Sequence, residues 1–125
     1  KKIPASFYAT SSGNEPVREW LLNLNDEDRR TVGHDIATAE FGWPIGMPLC
    51  RSLGKGLWEI RSNISHGGIV RVVFTVVEER MVLLHSFVKK TQKTPKPDLD
   101  LAEKRKKEIE PSVKKDISAQ ILTAS

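Results

Sequence analysis

The sequence predicts an α+β domain in which a helical hairpin covers one face of a mostly antiparallel, twisted sheet. Three observations predict it. Strand-period alternation marks Leu57 to Ser62 and Ile69 to Val77, apolar residues recur at helical spacing in two blocks between Val17 and Ala39, and the stretch after Pro97, DLDLAEKRKKEIE, reads as one more helix. Helices segregated from a run of strands form the α+β pattern.

Ala5 to Thr10 has strand propensity and ends at the turn-formers Ser11 to Asn14, so it is expected as the first strand. Asn14 is placed to cap a helix reaching about Leu24, with Pro16 in its first turn and Val17, Trp20, Leu21 and Leu24 on one side. Asn25 or Asp26 can cap a second helix whose stripe is Val32, Ile36 and Ala39. Glu27 and Asp28 sit at the positive end of its dipole, and Gly42 with Pro44 stops it. The loop FGWPIGMP, Phe41 to Pro48, is too apolar to be left in water and is expected to fold over a core edge.

Leu49 to Leu53 reads as a strand, and Gly54-Lys55-Gly56 as a tight turn into the next one. In Leu57 to Ser62 the set Leu57, Glu59, Arg61 opposes Trp58 and Ile60. In Ile69 to Val77 the apolar set Val70, Val72, Phe74, Val76 opposes Arg71, Val73, Thr75 and Val77. Glu78 to Arg80 turns the chain, and Met81 to Val88 is apolar enough for a central strand, interrupted by His85. Asp98 is placed to cap the last helix, which keeps a thin stripe of Leu99, Ala102 and Ile109. The expected order is β-α-α-β-β-β-β-α within one domain, residues 1–110. Residues 111–125 form an extension that adds a short helix or frays.

Composition narrows the function. With 29% charged and 38% hydrophobic residues the chain has the make-up of a soluble globular protein. It offers no apolar run of the roughly 18 to 20 residues that span a membrane, and its first residues lack a signal-type apolar region, so a cytoplasmic location is expected. The single cysteine, Cys50, excludes an internal disulfide and a thiolate zinc cluster, and is expected as a small buried apolar residue. Net charge is +4, and it is unevenly placed: Leu49 to Lys93 holds eight lysines and arginines against three glutamates. Basicity concentrated on a sheet fits a polyanion or acidic-peptide partner as well as an ordinary solvated face.

Several ordered strings carry a family resemblance: EPVREWL (Glu15 to Leu21), FGWPIGMPL (Phe41 to Leu49), LGKGLWEIRS (Leu53 to Ser62), RVVFTVV (Arg71 to Val77) and VLLHSFVKKTQKTPKPDLDLA (Val82 to Ala102). From about Phe7 to Glu108 the chain resembles the phage-derived, HigB-type branch of the RelE/ParE toxin superfamily. The resemblance implies a RelE-like fold and the toxin of a type II toxin–antitoxin pair. It further implies a metal-independent endoribonuclease that uses no cofactor and cuts mRNA, often on the ribosome. The implied partner is a cognate antitoxin of helix-turn-helix, HigA-like type. Two alternatives stay open: a non-catalytic, ParE-like poison of DNA gyrase, and a relic that only binds its antitoxin.

RNA cleavage without a metal needs a base for the ribose 2′ proton, charge stabilisation for the phosphorane, and a proton for the leaving oxygen. Arg61 and Arg71 share one strand phase and form the candidate charge-stabilising pair. Arg71 aligns with the superfamily arginine that opens the strand after the central hairpin, and Lys90 falls near a cation that relatives carry beyond the last strand. Arg71→Ala is accordingly expected to abolish growth arrest and leave the fold intact. Arg51, Lys55, Lys89 and Lys93 are candidate phosphate contacts.

For acid–base work His85 is the natural candidate by residue type but is equally readable as a hydrogen-bonded structural histidine, and Glu59 is a candidate base. His34 and His66 are expected at the surface. The sequence departs from the RelE branch in two places. Leu57 and Glu59 stand on the strand where relatives often carry lysines, and no tyrosine follows Lys90, Tyr8 being the one in the chain.

Overall fold

The computed structural model describes residues 2–89 and 93–109. Lys90 and the expected extension at 111–125 lie outside the described residues. The elements are β1 (Ala5–Phe7), α1 (Pro16–Leu22), α2 (Asp26–Gly42), β2 (Cys50–Gly54), β3 (Leu57–Asn63), β4 (Ile69–Val77), β5 (Arg80–Lys89) and α3 (Lys96–Ile109), with a single 3₁₀ turn at Ser65–Gly67. Among the described residues the class is α+β, with three helices and one open sheet in the order β1-β5-β4-β3-β2. β1 runs parallel to β5 and the other pairings are antiparallel, so the sheet is mixed.

The sheet is covered on both faces, more fully than the thin stripe of the last helix suggests. On one face α1 and α2 bury Val17, Leu21, Val32, Ile36 and Ala39 against Ile60, Val70, Val72, Phe74, Met81 and Leu83. Trp43 closes the edge of this core, standing edge-on to Trp58 at 5.0 Å and to Phe74 at 5.4 Å, so the FGWPIGMP loop does fold over it. On the other face α3 lays Ala102 against Tyr8, Leu57, Val73 and Leu84. Arg105 ties α3 down by donating to the Leu84 carbonyl at 2.7 Å and lying over the Tyr8 ring. The Tyr8 hydroxyl donates to Glu108, and that bond together with burial raises the phenol above its ordinary pKa.

Two expected caps are corrected. Asn14 does not cap α1; it closes the preceding turn through Thr10, and Glu15 holds the cap position with no side-chain bond. Asp98 does not cap α3, because the helix begins two residues earlier at Lys96 and the Asp98 carboxylate turns to the sheet. Asn25 does cap α2, accepting from the Asp28 amide at 2.8 Å. Asp28 has a further job. Its carboxylate accepts from the Ser65 amide and hydroxyl and from Asn25, so it anchors the β3–β4 connection to α2, and these bonds, with Ser65 first, hold it below its ordinary pKa. Cys50 is 1% exposed, and desolvation pushes its thiol up to about 11, which fits the small buried residue expected.

Candidate functional site: a cation cluster on the α3 face

Strand phase decides which side chains meet. Alternate residues of β3 and β4 share a face, so Leu57, Glu59 and Arg61 point with Arg71, Val73 and Thr75 toward α3. Register then aligns them across the sheet: Arg51 stands opposite Glu59, Arg61 opposite Arg71, and Arg71 opposite Phe87. A register shift beside Val73 leaves Leu84 as the extra residue of a bulge. The bulge sends both Leu84 and His85 to the α3 face and keeps Phe87 and Lys89 in phase with them.

The centre of the cluster is a buried ion pair. Arg71 Nη1 donates to Glu59 Oε1 at 2.5 Å, with the two side chains 1% and 0% exposed. Thr94, on the lead-in to α3, donates to the second oxygen, Oε2, at 3.0 Å. Glu59 is therefore engaged on both oxygens. Charges so deep in the protein are tolerated only as a pair with further hydrogen bonds.

Around Glu59 stand three more cations. Arg51 and Arg61 are half-buried. Arg61 directs Nη1 at the Met47 sulfur, 3.8 Å away, while its Nε has no hydrogen-bond partner among the described residues. Lys89 is 5% exposed, and its Nζ has no hydrogen-bond partner among them either. Burial lowers the pKa of Lys89, with the Arg71 charge adding to it and Glu59 opposing. Four cations thus stand near Glu59, with Asp98 of α3 also acting on Lys89, and charges this deep are screened poorly by water.

The remaining candidates divide. His85 Nε2 meets Asp98 Oδ1 at 2.6 Å and its ring stacks on Phe87, so the imidazole joins β5 to the first turn of α3. Lys93 is exposed beside Thr94. Lys55 is not part of the cluster: it is exposed on the β2–β3 turn, its ammonium 3.6 Å from Glu103 of α3. His34 and His66 are exposed. Among the described residues no group of three or more His, Cys, Asp or Glu side chains is placed to hold a metal, and no helix is long and apolar enough to cross a membrane. Two participants escaped the sequence reading, Thr94 and Asp98 as a partner for His85. Neither carries a local signal, since both act on residues brought near by the docking of α3.

Fold and site together define a small α+β protein with a cation-rich, half-covered sheet face. The family described as "Phage derived protein Gp49-like (DUF891)" matches residues 19–107, and the chain belongs to it. The matched stretch contains every residue of the cluster. This is a RelE/HigB-type toxin family, associated with the toxins of toxin–antitoxin pairs, and a toxin of this kind implies an antitoxin partner. A comparison with curated proteins finds no match.

Proposed function

We propose that the chain is the toxin of a type II pair and a metal-independent endoribonuclease that cleaves mRNA at the ribosome, restrained by a helix-turn-helix, HigA-like antitoxin. The element order and the mixed sheet support a RelE-like fold. One observation carries the reading: four cations gathered about a single buried carboxylate, with the half-buried guanidiniums of Arg51 and Arg61 toward the rim.

In this reading the ribose 2′-hydroxyl attacks the adjacent phosphorus, leaving a cyclic phosphate and a free 5′-hydroxyl. Arg61 contacts the phosphorane from the rim. Arg71, held in place by Glu59, adds charge from beneath it. Arg51 and Lys93 bind flanking phosphates, and Lys90 is assigned to the same edge by resemblance. Lys55, tied to Glu103 at the far turn, is left out of the phosphate contacts.

The test is primer extension on mRNA in a translation extract, wild type beside Arg61→Ala. New 5′-hydroxyl ends with wild type, lost in the variant, are the expected result. Intact mRNA together with blocked gyrase supercoiling would assign the gyrase alternative instead.

A further inference from the structure

We propose that Lys89 is the general base of this site, taking the proton from the attacking ribose 2′-hydroxyl; the proposal rests on the endoribonuclease reading above. Among the described residues the acid–base candidates Glu59 and His85 are already engaged. Glu59 holds Arg71 on one oxygen and accepts from Thr94 on the other. His85 is bonded to Asp98 and stacked on Phe87. Glu59 gives up a structural bond if it takes a substrate proton, and His85 is committed to holding the first turn of α3 against β5. Lys89 gives up nothing, since its Nζ is buried and without a hydrogen-bond partner among the described residues.

Position and charge agree with that role. Lys89 closes β5 in the phase of Phe87, the residue paired with Arg71, so its amine belongs to the face where phosphorane charge would be stabilised. The charged groups that act on it come from every neighbouring element: Arg71 on β4, Arg51 on β2, Glu59 on β3 and Asp98 on α3. Burial and the two guanidiniums disfavour the ammonium and outweigh the carboxylates, so the neutral amine is more populated than in an exposed lysine.

The step balances without any added reagent but water. Neutral Nζ accepts the 2′ proton as the O2′–P bond forms and the P–O5′ bond breaks. The 5′-alkoxide takes a proton from water, and the hydroxide so formed takes the proton back from Lys89.

The decisive variant is K89R, which keeps the positive charge but stays protonated. In the translation extract, across a pH series, wild-type cleavage is expected to climb with pH and level off below the ordinary lysine range. K89R is expected to lose ~10²–10⁴-fold in rate, together with that rising arm, and still bind mRNA. A K89R protein that cuts as fast as wild type with the same pH arm overturns the assignment and leaves the endoribonuclease reading standing. Wild type that leaves mRNA intact brings down both. A second readout depends on neither cleavage nor the folding of a variant: ¹³C NMR of the lysine Cε signals in the wild-type chain. Lys89 should titrate below the surface lysines, and titration among them would overturn the proposal.

Discussion

Removing Arg71 should cost the protein much of its stability. Arg71→Ala takes the directly bonded cation from the Glu59 carboxylate at 0% exposure, while Thr94 still donates to its second oxygen. Stripping one partner from a buried pair costs about 3–5 kcal/mol, because the other charge stays buried without its direct partner. Domains of this size hold about 5–15 kcal/mol in total, so a fifth or more of the margin goes. At about 3–5 °C per kcal/mol, the melting temperature should fall by roughly 10–25 °C.

The companion Glu59→Leu, Arg71→Met removes both charges and keeps the volume, and should lie within ~1 kcal/mol of wild type or above it. Urea unfolding of wild type, both single variants and the pair, followed by circular dichroism, gives the coupling energy directly. Arg71→Ala within ~1 kcal/mol of wild type, or a double variant as weak as the single, would refute the reasoning. The same measurement tests the expectation that Arg71→Ala leaves the fold intact, and loss of growth arrest in a destabilised variant alone says nothing about phosphorane charge.

Three further outcomes are expected. Asp28 has a folded-state pKa held below its unfolded value. Its contribution is complete above the unfolded value, near ~3.9, and is lost as pH falls through the folded one. Asp28→Asn should thus lower stability at neutral pH and flatten the acid limb of the stability profile; an unchanged limb in urea titrations counts against the anchor. Cys50, buried with its thiol pushed up to about 11, should resist a thiol-specific reagent in the native protein at pH 8 and react at once in urea, and rapid native labelling would contradict its burial. Glu78 and Glu79 form the β4–β5 turn at φ +51° and +60°, where glycine and asparagine are at ease. Glu78→Asn with Glu79→Gly should add ~0.5–1 kcal/mol, read as a raised urea midpoint, and a lowered midpoint would refute the strain.

Much of the architecture was legible because its signals are local. Alternation in β3 and β4 placed Arg61 and Arg71 in one phase, and they prove to be register partners. Helical spacing marked Val17, Leu21, Val32, Ile36 and Ala39, and all five are buried. The pairing of charges was harder to read. Glu59 bonds Arg71 on the neighbouring strand and not Arg61 two residues along its own, a choice that strand phase alone does not decide.

The succession of strands and helices along the chain, the buried thiol and the basic bias of Leu49 to Lys93 follow from residue type and spacing, because propensity and periodicity act over a few residues. How the cluster is covered and connected does not. Docking α3 brings Thr94 to Glu59 and Asp98 to His85 across 35 and 13 residues of chain. The bulge at Leu84 sets the phase of His85, Phe87 and Lys89. Which cation is left buried without a hydrogen bond depends on packing from both faces of the sheet. Burial and charge proximity are sums over distant residues, and no window of sequence contains them.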